Sequence, residues 1–332
     1  MSHEQKSAIK ILTPFRQSTP DTWPGEVPVE FYYASDEAGF IELLPEADVY
    51  IGLVFTAGMG AAAKQLKFLH VAGAGTDAIN FEAVPEGCLV ANVYEHETPI
   101  AEWAMMTILA LSRQLLKADR TLRAGSWELS PWQGAIFSEL NGRTLGIIGL
   151  GRIGRKTAEF AQAFGMRLIA ATRTVPSETE TKALGFTTVH PLDNLNIVLQ
   201  EADFLLLCVP LTEATQGLID KRALALMKPT AYLINVARAE VVVEEDLFAA
   251  LQSNQIKGAA LDVWYQEPLG PANNPMPATY PFWELDNVIM SPHSSSVTFG
   301  LLQRRIAFIA KNIDRWARGE PVQNIVHGRF LF

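Results

Sequence analysis

The chain has 332 residues, 48% hydrophobic and 19% charged, enough for about two globular domains and too apolar for a disordered tail. With 27 Lys and Arg against 36 Asp and Glu the formal net charge is −9, which repels a phosphate backbone and argues against a nucleic-acid partner. The opening MSHEQKSAIK lacks the apolar core of a secretion signal, no segment reaches the ~20 apolar residues of a membrane span, and only Cys88 and Cys208 occur, so no membrane partner and a reducing cytoplasm are expected.

In the first hundred residues, β-rich runs at 9–12, 29–33, 49–55, 68–72 and 89–93 alternate with possible helices at 37–44 and 60–66. Short connections carrying Gly and Pro make this a parallel α/β rhythm. Residues 98–124 have no Gly and only Pro99, which a first helical turn tolerates, and predict one long helix joining two domains. Trp103, Met106, Leu109 and Leu116 keep helical spacing on it, and Ala and Met on its other faces predict burial on several sides.

A second alternating series starts at 144–148 and continues at 167–171, 204–209, 231–236, 259–263 and 288–291. Runs such as Phe204-Leu205-Leu206-Leu207-Cys208-Val209 are apolar throughout, as in a doubly wound parallel sheet covered on both faces. Residues 267–281, with five Pro and two Asn, form a long loop that reads either as a rigid lid or as an ornament. Residues 298–318 are again helical; packed back on the first domain, they would make that domain discontinuous. The predicted division is 1–98 plus 299–332 and 99–298.

Gly149-Leu150-Gly151-Arg152-Ile153-Gly154 follows one apolar strand and opens a helix predicted at 155–164. In that context the glycines permit a tight turn, a close approach of backbone to pyrophosphate and tight helix packing, and the helix start attracts the anion. The bland alternative is a glycine-rich turn with no ligand. About 20 residues on, where a carboxylate would bind ribose hydroxyls, the strand ends Ala171-Thr172-Arg173-Thr174. Arg173 can pair with a 2′-phosphate, and Thr172 and Thr174 can donate to it, so NADP(H) is favoured over NAD(H). The alternative is a solvated Arg173 beside a site that accepts either nucleotide.

Arg238, Glu267 and His293 each follow a strand of the second series and should meet at the carboxyl edge of its sheet, where open α/β sheets bind ligands. Reduction of a 2-oxo acid needs a cation for the carboxylate and carbonyl, a proton donor for the developing alkoxide, and a carboxylate that keeps the donor protonated; Arg238, His293 and Glu267 supply one each. Taken singly they read as a surface cation, the solvated start of a proline loop and a structural imidazole.

Together with Asn235-Val236-Ala237-Arg238, Leu261-Asp262-Val263, Glu267-Pro268, Ser291-Pro292-His293, Ala72-Gly73-Ala74-Gly75-Thr76-Asp77 and Ala101-Glu102, the glycine turn resembles the D-isomer-specific 2-hydroxyacid dehydrogenase family. The likeness is weakest over the first forty residues. It implies a Rossmann-type cofactor domain inserted into a flavodoxin-like catalytic domain, and a homodimer. It also implies that Arg238 anchors the substrate, His293 is general acid in reduction and base in oxidation, and Glu267 holds His293. Asp262 would lie near the nicotinamide carboxamide, with Val209, Pro210, Val236, Ala237 and Ser295 among the cofactor contacts. Ala74 and Gly75 would present backbone N–H groups to the substrate carboxylate.

Ala239 stands where the family commonly has Gly, and Ser294-Ser295-Ser296 and residues 273–283 also depart from its commonest form, which points to a specialised substrate. His96 could line the cleft; His3, His70, His190 and His327 lack metal-ligand spacing, and no metal is expected. Asp77 and Glu102 are read as ties for loops and helix ends, and Trp132 as reaching a partner subunit's site or packing in a dimer core. The leading expectation is an NADPH-preferring reductase of glyoxylate or hydroxypyruvate. Its rivals are an NAD-linked dehydrogenase, for example of phosphoglycerate, against which the lack of a long domain after residue 332 also counts, and a nucleotide-sensing, corepressor-like protein.

Overall fold

The computed structural model describes residues 8–16, 22–268 and 274–328. The chain forms two compact units, residues 1–95 with 298–332 and residues 96–297; the divisions fall after Glu95 and Val297, against residues 98 and 298 in the sequence reading.

In the first unit β1 (Ile9–Thr13), β2 (Val29–Tyr33), β3 (Val49–Gly52), β4 (Phe68–Val71) and β5 (Leu89–Ala91) pair in parallel in the order β2-β1-β3-β4-β5, the flavodoxin-like order. Helices α1 (Glu37–Leu43) and α2 (Ala57–Ala62) start where Asp36 and Thr56 accept the N–H groups of Gly39 and Met59. Phe40 and Met59 from these helices close one apolar layer over Leu12, Tyr50 and Leu69.

The second unit opens with α3 (Glu97–Ser112) and α4 (Leu115–Arg123), two helices where one was expected. Gln114 between them is left-handed, with φ 49°, which ends the first helix without Gly or Pro. α3 belongs to this unit, burying Ile100, Ala104, Met105, Ile108 and Leu111. Its core stripe is therefore offset from the one read in sequence, since Met106 and Leu116 are each 56% exposed, and α4 buries none of its residues.

The sheet here comprises β6 (Thr144–Ile148), β7 (Arg167–Thr172), β8 (Thr188–Pro191), β9 (Phe204–Leu207), β10 (Tyr232–Asn235), β11 (Gly258–Leu261) and β12 (Val288–Met290). All its pairings are parallel, in the order β8-β7-β6-β9-β10-β11-β12, a Rossmann-type doubly wound sheet. The helices α5 (Arg152–Ala163), α6 (Glu178–Ala183), α7 (Leu195–Glu201), α8 (Lys221–Leu226) and α9 (Glu244–Gln252) complete the unit. Ala158 and Ala161 of α5 join α3 on one face; Val198, Leu224 and Leu247 from α7, α8 and α9 lie in the other apolar layer. In register Ile148 and Asn235 both flank Leu207, Asn235 pairs with Leu261, and Leu261 with Met290, so the ends of β6, β9, β10, β11 and β12 form one edge.

The chain then returns to the first unit through α10 (Phe299–Arg318) and β13 (Ile325–His327), which pairs antiparallel with β5. Ile309 and Ile313 of α10 cover the second face of that sheet, against Ile11, Val49, Phe68 and Leu89. No helix among the described residues is long and apolar enough to cross a membrane.

Candidate active site

At the end of β6, the glycines of the 149–154 turn meet different demands. Gly149 has φ 99°, and a Cβ there would lie 2.8 Å from the Cys208 carbonyl oxygen. A Cβ on Gly154 would lie 2.3 Å from the Gly149 carbonyl oxygen, whereas one on Gly151 would meet nothing within 4 Å. The turn is thus closed on its inner side and open at its centre, as an approaching pyrophosphate requires. The helix begins at Arg152 rather than Arg155, so Arg152, Ile153 and Gly154 lie in its first turn, and Gly151 caps it with no side chain. Their N–H groups have no intrahelical partners, which suits an anion. The Cys208 thiol donates to the Gly149 carbonyl at 2.9 Å and braces the turn, and burial pushes it up to about 12, keeping it a neutral donor. Only its strand position was legible in sequence. These residues fit a dinucleotide.

Thr172 ends β7 in register beside Pro191, with Arg173 and Thr174 exposed immediately after it. The ends of β9 and β10 bring Val209, Pro210, Val236 and Ala237 to the same edge as the glycine turn.

Arg238, half-buried, leads into a single helical turn at Ala239–Val241, and its Nη1 donates to the Ala237 carbonyl at 2.9 Å. Ala239 is buried and is not left-handed, so its methyl imposes no backbone strain. His293 Nδ1 lies 2.8 Å from Glu267 Oε2, and Glu267 Oε1 accepts the Trp264 backbone N–H at 3.0 Å. A carboxylate only accepts, so Nδ1 carries the proton of this bond. Burial would raise the Glu267 carboxyl, but the bonds from His293 and Trp264, with the His293 and Arg238 charges, hold it below its ordinary value. The Glu267 bond in turn raises His293, aided by the Glu267 and Asp262 charges against burial and Arg238. Arg238, Glu267 and His293 are thus brought within mutual electrostatic reach in one unit.

His293 is itself left-handed, with φ 51°, in a turn tied from beneath by Asp262. The buried Asp262 Oδ1 accepts the Ser291 hydroxyl at 2.5 Å and the Ser294 and Ser295 N–H groups at 2.9 and 3.1 Å. Asp262 thereby takes on a scaffolding duty not read in its sequence motif. The loop predicted at 267–281 falls partly outside the described residues; its return is held by Gln266 N–H on the Pro277 carbonyl, at 3.0 Å.

In the first unit, the carbonyls of Gly73 and Ala74 accept the Val93 N–H at 3.2 Å and Asn92 Nδ2 at 2.8 Å, which orients the Ala74-Gly75 turn. Glu102 is exposed on α3, and Trp132 is 89% exposed. Among the described residues no His, Cys, Asp or Glu side chains cluster in a way that could hold a metal ion.

Residues 105–295 match the D-isomer specific 2-hydroxyacid dehydrogenase, NAD binding domain. The chain is 35% identical over 327 residues to the D-3-phosphoglycerate dehydrogenase of Methanocaldococcus jannaschii, covering 97% of this chain but only 57% of that one. It is 37% identical over 276 residues to the glyoxylate reductase of Thermococcus onnurineus, covering 81% and 79% of the two chains. Among solved structures, a D-isomer specific 2-hydroxyacid dehydrogenase family protein from Aeromonas salmonicida superposes with a TM-score of 0.81 at 26% identity, covering 97% of this chain and 99% of that one. The chain belongs to the D-isomer specific 2-hydroxyacid dehydrogenase family of NAD(P)-dependent oxidoreductases.

Proposed function

We propose that the chain is a reductase that converts a small 2-oxo acid of the glyoxylate or hydroxypyruvate kind to a D-2-hydroxy acid, using NADPH in preference to NADH. The observation that carries the reaction class is the 2.8 Å pairing of His293 with Glu267 at the sheet edge that also bears Arg238. A bound nicotinamide would supply the hydride. The guanidinium of Arg238 would take the substrate carboxylate and polarise the carbonyl, and His293 Nε2 would deliver the proton as the alkoxide develops. Glu267, charged and bonded to Nδ1, would keep His293 protonated and oriented. Ala74 and Gly75 are assigned backbone contacts to the substrate carboxylate, and Asp262 and Ser295 a place near the cofactor's carboxamide.

The NADPH preference rests on the end of β7, where Thr172, the exposed Arg173 and Thr174 stand in place of a carboxylate. A homodimer is the reading we favour for assembly, supported by the exposed Trp127, Trp132 and Ile136, apolar surface that a monomer would leave in water; sedimentation at a single-chain mass would count against it. The primary test follows reduced-nicotinamide absorbance with NADPH and NADH in parallel against glyoxylate, hydroxypyruvate and bulkier 2-oxo acids. Turnover with NADPH exceeding that with NADH supports the whole reading. Faster turnover with NADH overturns the cofactor preference, and oxidation of phosphoglycerate with NAD alone overturns the substrate. Silence with every acid despite tight nucleotide binding points to a sensor.

A further inference from the structure

Two segments must be held in place for the Glu267–His293 pair to exist: the stretch after β11 that carries Glu267, and the turn after β12 that carries His293. Trp264 bonds to both. Its backbone N–H donates to Glu267 Oε1 at 3.0 Å, and its indole Nε1–H donates to the Ser291 carbonyl at 2.7 Å. The same carbonyl accepts the His293 N–H at 3.0 Å, so it closes the turn in which His293 takes its left-handed φ of 51°. The indole is 7% exposed and meets the Phe282 ring edge-on at 6.2 Å, which leaves the ring little freedom to swing. On the other side of that turn Ser291, Ser294 and Ser295 are tied to Asp262.

We infer that Trp264 is a positioning residue for the catalytic pair: its two N–H groups fix the distance between Glu267 and His293, and its indole N–H holds the His293 turn in the geometry that lets the imidazole meet the carboxylate. This rests on the reading of His293 as the proton donor. An aromatic ring alone would fill the same apolar space, but only an indole brings a donor to its far edge. A left-handed non-glycine residue persists only where its surroundings hold it, and the bond to Ser291 is one of the restraints that hold His293. The charged groups that face His293 are Glu267, Asp262 and Arg238, and none of them is removed by altering the indole.

The test is Trp264→Phe, which keeps a ring against Phe282 and deletes the indole donor, with Tyr265→Phe as a control that removes a nearby hydroxyl bond to the Val242 carbonyl. Three quantities are measured: cofactor Kd, the pH profile of kcat/KM, and the NMR titration of the His293 ring protons, assigned by comparison with His293→Gln. For Trp264→Phe we expect an unchanged Kd, a kcat lower by about five- to tenfold, as loss of one ordinary hydrogen bond allows, and a His293 midpoint displaced toward lower pH together with the high-pH limb of the rate. Tyr265→Phe leaves midpoint and limb where they are. In the unaltered protein the Trp264 indole N–H resonance is expected to exchange slowly and to move with the His293 midpoint, a measurement that stands even if Trp264→Phe does not fold. An indole resonance blind to His293, or an unmoved His293 midpoint in a folded Trp264→Phe, overturns the inference. Full activity in His293→Gln instead overturns the parent reading of the site.

Discussion

Because Glu267 keeps its charge against burial through its bonds to His293 and Trp264, with the His293 and Arg238 charges beside it, the two limbs of the pH profile in the proposed reaction should belong to one pair of residues. In the proposed reaction His293 must be protonated to donate, and the Glu267 bond raises it from the ordinary imidazole value, so reduction should decline at a higher pH than an ordinary imidazole would give. Glu267 is lowered from 4.5, so the pair comes apart on the acid side only as pH falls below that figure. Glu267→Gln should draw the alkaline limb down toward or below 6.5 and slow turnover; a limb that does not move in rate measurements would remove Glu267 from the role. His293→Ala should lose reduction by about 10²–10⁴-fold with cofactor binding intact, as removal of a positioned acid does. Arg173→Ala should weaken NADPH binding by about 1.5–3 kcal/mol and leave NADH nearly untouched, which calorimetric titration of both nucleotides would check. The meeting of Arg238, Glu267 and His293 at one sheet edge was legible because each follows a strand of the second series. The contacts of Trp264 and Cys208 were not, since the side chain of each donates to a carbonyl that is remote in sequence, Ser291 and Gly149 respectively.

Among the elements, the glycine turn separates folding from binding. Gly151→Ala places a methyl in open space, so it should keep the melting temperature while obstructing the approach of the pyrophosphate. Gly154→Ala drives a Cβ toward the Gly149 carbonyl and the Cys208 sulfur and should cost about 1–3 kcal/mol of stability along with the binding. Parallel melting curves and nucleotide titrations of the two variants decide it: equal melting temperatures would contradict the packing argument. Strands were legible where they are buried apolar runs, such as β6 and β9. The edge strands β8 and β13 were not, because Thr188–Pro191 is half-exposed and Ile325–His327 exposed, and neither shows an apolar pattern. The break at Gln114 left no mark in composition either, since nothing but one left-handed residue makes it.

Over the whole molecule, the return of the chain to the first unit is secured by a buried polar knot as well as by apolar contacts. Asn312 on α10 donates to His70 Nε2 at 3.1 Å and to the Gln323 carbonyl at 3.0 Å, and its Oδ1 accepts the Gln323 N–H. Full burial lowers His70 to about 4, so it is neutral in the fold and must stay so. The sign follows from the depressed value: as pH falls from 6.5 to about 4 the unfolded chain takes up a proton that the folded one refuses, and stability drops by an amount on the order of 3 kcal/mol. Urea unfolding at successive pH values should show this decline, and His70→Gln should flatten it. Asn312→Leu removes the bonds to His70 Nε2 and to the Gln323 N–H and carbonyl, while the Nδ1 bond of His70 to the Val71 carbonyl remains, and should lower stability by about 2–4 kcal/mol. Sequence showed a terminal helix but not this knot, which joins residues far apart along the chain.

The discontinuity of the first unit also bears on how the protein is made. Its two pieces are separated by residues 96–297, so at a ribosomal pace of ~5–20 residues per second they emerge roughly 10–40 s apart. During that interval the nascent chain holds Ile11, Val49, Phe68 and Leu89 on a sheet face whose cover, Ile309 and Ile313, has not yet been translated. The second unit, continuous in sequence, is free to fold first. Holdase chaperones should therefore bind the growing polypeptide mainly at its amino-terminal segment, and release it once α10 has left the ribosome.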